Sequence, residues 1–82
     1  SSNNELTRIK QLERALETDK EILVLRSGIT KQSEKRLDQG MITMSEYLAD
    51  YNAELKAGLQ VETHKIQLLY SKANYLIIKG IL

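Results

Sequence analysis

His64 is the only histidine in the chain, and no cysteine accompanies it. A catalytic histidine works with a nucleophile within hydrogen-bond reach, and a zinc site needs several His, Cys or carboxylate ligands. Glu62 lies too close in sequence to share one helix face with His64. These residues predict neither an enzyme nor a metal or cofactor site. His64 and the charged residues of the first half of the chain, including Asp19, are expected on solvated faces.

The balance of charge argues against a nucleic-acid partner. Twelve Lys and Arg residues nearly balance eleven Asp and Glu residues, whereas nucleic-acid-binding proteins carry a basic face. No apolar run is long enough to span a bilayer, so this segment is expected to make no membrane contact. The 82 residues include four glycines and no proline, a composition that favours long helices in one small unit.

The stretch RLDQGMITMSEYL, in the middle of the chain, carries the turn signals. Gly40 is predicted just past the end of a helix, where glycine adopts a left-handed conformation without steric cost. Thr43 and Glu46 have the spacing of a capping box at the start of a second helix, and Ile42 and Tyr47 that of a hydrophobic staple. Because so short a connection joins neighbours, the two helices are predicted to be antiparallel.

Apolar residues at helical spacing extend on both sides of this turn. We predict one hairpin over residues 5–82, with helices over about 5–38 and 44–78, a tip turn at 39–43, and a disordered start or tag remnant at 1–4. The apolar stripe of the first helix is Leu6, Ile9, Leu12, Leu16, Leu23 and Leu37. That of the second is Leu48, Tyr51, Leu55, Leu59, Glu62, Ile66, Leu69, Ala73 and Leu76. The predicted fold is all-α, an antiparallel two-helix coiled-coil hairpin with these stripes in its seam.

One part of the first helix departs from this pattern. Ser27, Thr30, Ser33 and Glu34 occupy positions where leucines are expected. Gly28 lowers helix stability by about 1 kcal/mol relative to alanine. The helix is predicted to continue through this region, with an irregularity near Gly28.

The turn and the helix that follows resemble the periplasmic hairpin tip of TolC-like outer-membrane efflux proteins. The segment LDQGMITMSEYL contains the glycine, the apolar residues, the threonine and the short acidic and leucine-containing run of that tip. Further similar positions are the NAELKA run at 52–57, Tyr70, Ala73, Tyr75, Leu76 and Gly80. The resemblance covers most of residues 34–82, whereas residues 5–33 are similar only as a long helix with a polar face.

The resemblance implies a transport role. Members of the family are trimers anchored in the outer membrane of Gram-negative bacteria, with a long helical tunnel in the periplasm. They perform multidrug export with energy supplied by an inner-membrane pump. This chain would be one periplasmic hairpin of a longer protomer, whose tip docks a periplasmic adaptor (membrane fusion) protein through Gly40, Met41, Ile42 and Thr43.

The resemblance also implies an acidic position at Glu46, just inside the tunnel mouth, with Asp50 one helical turn later. Some members carry a tyrosine where this chain has Leu37 and an arginine where it has Ile42. A polar gate built on those groups is therefore not expected here, and closure of the tip would be hydrophobic.

A reading from a different functional class stays open, namely a stand-alone helical-hairpin module for interaction or scaffolding. Residues 65–82 also carry apolar side chains on more than one side of the helix. A helix that is apolar on two sides needs two neighbours. By itself, the hairpin is therefore expected to form a homodimer, most simply an antiparallel four-helix bundle.

Overall fold

The computed structural model describes residues 2–81, which form two long helices joined by a short turn. Helix α1 spans Ser2–Asp38 and helix α2 spans Met44–Ile81. The helices pack side by side in a rod that measures 63 × 14 × 13 Å. The predicted all-α helical hairpin is confirmed. Within the part of the chain that the structure describes, neither helix is long and apolar enough to cross a membrane.

The helix bounds differ from the predicted ones mainly at the outer ends. Helix α1 already includes residues 2–4, which were predicted to belong to a disordered start or tag remnant, while Ser1 lies outside the described residues. Thr7 donates a hydrogen bond to the Asn3 carbonyl at 3.0 Å in this first turn. The predicted irregularity near Gly28 is absent from α1, which is one unbroken helix, since a cost of about 1 kcal/mol is small beside the packing of a long helix.

The apolar core lies at the end of the hairpin remote from the turn. Ile9, Leu12 and Leu68 are buried there, and Leu16 and Tyr75 pack against them. The predicted stripe of α1 is therefore largely confirmed, because its members other than Leu6 are buried or half-buried. The α1 side of the seam then continues toward the turn through polar residues.

The prediction that the apolar stripe of α2 packs against α1 is wrong. Its seven large apolar members, which we call the outer stripe together with Glu62 and Ala73, are between 41% and 70% exposed. The α2 residues that are buried or half-buried at heptad spacing are Tyr47, Asp50, Glu54, Ala57, Val61, His64, Leu68, Ser71, Tyr75 and Ile78. Each residue of the outer stripe lies one or two positions after a seam residue, so the stripe is rotated about the helix axis by roughly 100–200° from the side that faces α1.

Polar side chains in the seam explain this rotation of α2. Thr30 and Ser33 are each 7% exposed and face the α2 residue Asp50. No buried side-chain nitrogen or oxygen among the described residues lacks a hydrogen-bond partner. Because a buried polar group without a partner is costly, α2 presents polar residues to the polar part of α1. The leucines are left outside.

Candidate functional site

The candidate site is the turn at the end of the hairpin, and backbone hydrogen bonds hold it in one conformation. Gly40 has φ +72°, in the left-handed region. Its amide donates to the Leu37 carbonyl at 3.0 Å, and the Met41 amide donates to the Arg36 carbonyl at 2.8 Å. This pair of bonds is the Schellman motif, which satisfies the last carbonyls of a helix. The predicted role of Gly40 as the helix C-cap glycine is confirmed.

The start of α2 follows the prediction in part: among the described residues the Thr43 half of the capping box is present, without a bond between the Thr43 amide and the Glu46 carboxylate. The Glu46 amide donates to the Thr43 hydroxyl at 3.1 Å, and the Tyr47 amide donates to the Thr43 carbonyl at 3.1 Å. Thr43 is therefore the N-cap residue. Ile42 and Tyr47, the predicted staple pair, are both half-buried. The turn is thus ordered by its own residues and needs no further chain to define its shape.

The turn exposes two methionine side chains beside polar neighbours such as Gln39 and Ser45. Met41 is 68% exposed and Met44 is 58% exposed. No heavy atom lies within 4 Å of the place that a Cβ on Gly40 would occupy. The predicted docking residues thus form a compact surface with open space beside Gly40, and flexible methionine side chains can adapt to the shape of a partner.

The two acidic residues predicted for the tunnel mouth have different surroundings. Glu46 is exposed in the first turn of α2, where its charge is favourable at the positive end of the helix. Asp50 is half-buried in the seam, and its Oδ2 accepts a hydrogen bond from the Ser33 hydroxyl. The Thr30 hydroxyl lies 3.3 Å from the Asp50 carbonyl oxygen and 3.0 Å from that of Arg26. Asp50 thus joins the two helices, which sequence spacing alone did not predict.

His64 forms the second polar contact across the seam. Its Nδ1 lies at hydrogen-bonding distance from Asp19 Oδ2, and the two side chains are only 19% and 11% exposed. The expectation of solvated faces for His64 and Asp19 is therefore wrong. Both residues lie at heptad positions of the seam. His64 lies there because α2 is rotated so that its polar side, and not its leucines, faces α1. The sequence pattern that could have predicted a seam position for His64 is the three-and-four spacing of Val61, His64 and Leu68.

Both polar contacts join side chains of α1 to side chains of α2. Among residues 2–81, no group of three or more His, Cys, Asp or Glu side chains is placed to hold a metal ion. Gln60 Nε2 lies 3.4 Å from His64 Nε2, on the outer side of that ring. The two contacts hold α1 and α2 in one register along the seam.

Comparisons with known proteins found no relative of this chain. No protein-family model matches the chain, nor does any curated protein or solved structure. The functional interpretation therefore depends on the residues of the tip and of the outer stripe themselves.

Proposed function

We propose that this chain is the periplasmic coiled-coil segment of a TolC-like outer-membrane efflux channel, and that its tip docks a periplasmic adaptor protein. The observation that carries the proposal is the exposed apolar tip at the end of a slender hairpin. Met41 and Met44 lie open to solvent there, around a turn whose backbone is held by hydrogen bonds. Because its backbone is already ordered, the turn itself loses little backbone conformational entropy when a partner binds.

The geometry of Gly40 supports a close contact with the adaptor. With no Cβ and no heavy atom within 4 Å of the Cβ position, the turn leaves room for the backbone of a partner. In this proposal Met41 and Ile42 supply the apolar contact, and Thr43 keeps the turn in shape.

The outer stripe supports placement of the hairpin in a larger helical assembly. Its leucines face away from α1 over about 42 Å of α2. In a homotrimeric tunnel, neighbouring helices would cover such a surface, and an inner-membrane pump would act through the adaptor. Glu46 would then lie near the tunnel mouth, while Asp50 would keep the tip end of the two helices in register.

A stand-alone hairpin module for interaction or scaffolding is the second candidate. The observation that favours it is the local self-sufficiency of the tip, whose bonds all come from residues 35–47. The full-length gene separates the two candidates. A channel requires a secretion leader, a second hairpin and flanking amphipathic strands, whereas a scaffold module requires none of these.

Export by the full-length protein tests the docking role. In cells that lack the chromosomal gene, plasmid-borne variants are compared by accumulation of a fluorescent dye and by trimer content of the outer membrane. Met41→Asp places a charge on the docking surface and is expected to abolish export while trimers still assemble. Gly40→Asn tolerates the left-handed conformation but adds a side chain, so it is expected to reduce export as well.

Ser45→Asp is the matched control for Met41→Asp. It adds the same charge in the first turn of α2, where an acidic residue is favourable, and leaves the apolar surface intact. Export is expected to match that of the unmodified protein. Normal export by both Met41→Asp and Gly40→Asn would remove the docking role from the tip.

A further inference from the structure

We propose that the outer stripe is a self-pairing surface, through which two copies of this chain associate with their α2 helices antiparallel and with Glu62 at the two-fold axis. The pairing is proposed for the hairpin by itself, outside a tunnel in which neighbouring helices would cover this face, and it does not depend on the docking role of the tip. It concerns the face of α2 that α1 leaves uncovered.

The exposed area is large enough for such a pairing. The chain exposes 6237 Å², whereas a compact monomer of 9.4 kDa would expose about 5,000 Å² by the scaling of area with mass. The excess of about 1,200 Å² comes from the elongated shape of the two-helix rod, and it is larger than the roughly 800 Å² that a standard stable interface covers on each partner. Side-by-side pairing of two rods can therefore bury a standard interface.

The spacing of the outer stripe suits a two-fold axis at Glu62. Leu48 and Leu76 each lie 14 residues from Glu62, and Tyr51 and Ala73 each lie 11 residues from it. In an antiparallel pair, residues at equal distances on either side of the axis meet. The leucines at the two ends of the stripe then meet each other. The large Tyr51 side chain meets the small Ala73, which permits close packing.

The charges along α2 select the antiparallel orientation. The first third of α2 carries Glu46, Asp50 and Glu54 against the single Lys56, whereas its last third carries Lys72 and Lys79 and no acidic residue. An antiparallel pair brings the acidic part of one helix to the basic part of the other, and a parallel pair would bring like charges together. Such complementarity favours one orientation over the other.

Glu62 itself meets its symmetry mate at the axis. Lys65 Nζ lies 3.4 Å from Glu62 Oε1 within the same helix, so each glutamate brings a positive charge to the centre of the interface. The two carboxylates still repel each other. Removing that repulsion with Glu62→Gln is expected to tighten the dimer by about fivefold.

Sedimentation equilibrium of the chain between about 5 and 200 µM tests the stoichiometry. We expect a monomer–dimer equilibrium. Leu69→Glu is expected to raise the dissociation constant by at least about 30-fold, because Leu69 and Leu55 lie at equal distances from Glu62 and meet across the axis. Leu25→Glu is the matched control, because Leu25 is 67% exposed and Leu69 is 70% exposed but Leu25 lies on α1, outside the outer stripe, so its effect is expected to be less than about threefold.

A clean monomer at about 200 µM overturns the proposal, and so does a trimer or a larger species. Dissociation by Leu25→Glu but not by Leu69→Glu would assign the pairing to another face and also overturn it. Far-UV circular dichroism of each variant at low concentration reports whether the hairpin is retained, so that loss of the dimer is separated from loss of the fold.

Disulfide crosslinking tests the orientation, since the chain has no cysteine of its own. In a glutathione redox buffer, Glu62→Cys is expected to crosslink to its own copy. Leu76→Cys alone is not, because its two copies would be about 42 Å apart, but it is expected to crosslink to Leu48→Cys in an equal mixture. Gln67→Cys, exposed and outside the outer stripe, gives the background of random collision.

Self-crosslinking of Leu76→Cys to the extent of Glu62→Cys indicates a parallel pair and overturns the antiparallel arrangement. Crosslinking of Glu62→Cys no greater than the Gln67→Cys background does the same. These outcomes leave the tip proposal untouched, because that proposal is measured by export in the full-length protein.

Discussion

The same substitution at two glycines is expected to change stability in opposite directions. Gly40 has φ +72°, and a Cβ built on it meets no heavy atom within 4 Å. Gly40→Ala therefore introduces no steric clash with a neighbouring side chain, and its cost is that of holding an L-residue in the left-handed region, about 1–2 kcal/mol. The strain acts directly on the two bonds from the Gly40 and Met41 amides that close the turn.

Gly28 provides the comparison. A Cβ on Gly28 also meets nothing within 4 Å, but Gly28 lies inside α1 with an ordinary negative φ. Gly28→Ala is therefore expected to stabilise the hairpin by about 1 kcal/mol, the difference in helix propensity between the two residues. The two variants should differ from each other by about 2–3 kcal/mol in the free energy of unfolding.

Urea unfolding followed by circular dichroism at 222 nm measures both variants. At about 5 µM, association contributes little to the measured stability. With a slope near 1 kcal/mol per molar urea, the midpoint should fall by about 1–2 M for Gly40→Ala and rise by about 1 M for Gly28→Ala. Gly40→Asn should recover part of the loss, since asparagine tolerates the left-handed region better than alanine.

The reasoning fails if Gly40→Ala leaves the midpoint unchanged or raises it, because the turn then does not require a left-handed residue at that position. It also fails if Gly28→Ala destabilises the chain as much as Gly40→Ala does. That result would mean that α1 makes a close contact at Gly28 which the packing described above lacks.

Three further predictions concern single contacts, each measured by the same unfolding experiment. Thr43→Ala removes the hydroxyl that accepts the N-cap bond and should cost about 1 kcal/mol; a neutral result would mean that the cap contributes nothing. Ser33→Ala leaves the half-buried Asp50 carboxylate without its donor and should cost about 1–2 kcal/mol, so a gain in stability would contradict this account of the seam. A double-mutant cycle with His64→Ala and Asp19→Ala should give a coupling energy of about 1 kcal/mol, and additive effects would refute an interaction across the helices.

The turn could be predicted from sequence because its determinants are local. Gly40 ends α1 and Thr43 begins α2 through bonds that span at most five residues. Each of these bonds follows from one residue type at one position of a helix end. The antiparallel hairpin then follows from the shortness of the connection. Of the residues predicted for docking, Gly40, Met41 and Thr43 are exposed and Ile42 is half-buried, and their docking role stays a prediction.

The rotation of α2 could not be predicted from its own hydrophobic pattern. The leucines of the outer stripe are the strongest helical period in the second half of the chain, yet they face solvent. Periodicity shows that a helix has an apolar side, but it does not show which neighbour covers that side. The side of α2 that faces α1 is determined by Thr30 and Ser33 of α1, whose hydroxyls donate hydrogen bonds to Asp50. Such pairings join residues 17 to 20 positions apart, beyond the range of a pattern within one helix.

The two polar contacts across the seam also have a mechanical consequence. Sliding α2 along α1 by a single turn would separate Ser33 from Asp50 and Asp19 from His64 at the same time. A seam of leucines alone would offer nearly equivalent positions after such a shift, whereas hydrogen-bonded pairs at fixed places do not. The hairpin should therefore behave as a stiff strut under axial load, so that a push on the methionines at one end displaces the opposite end as well.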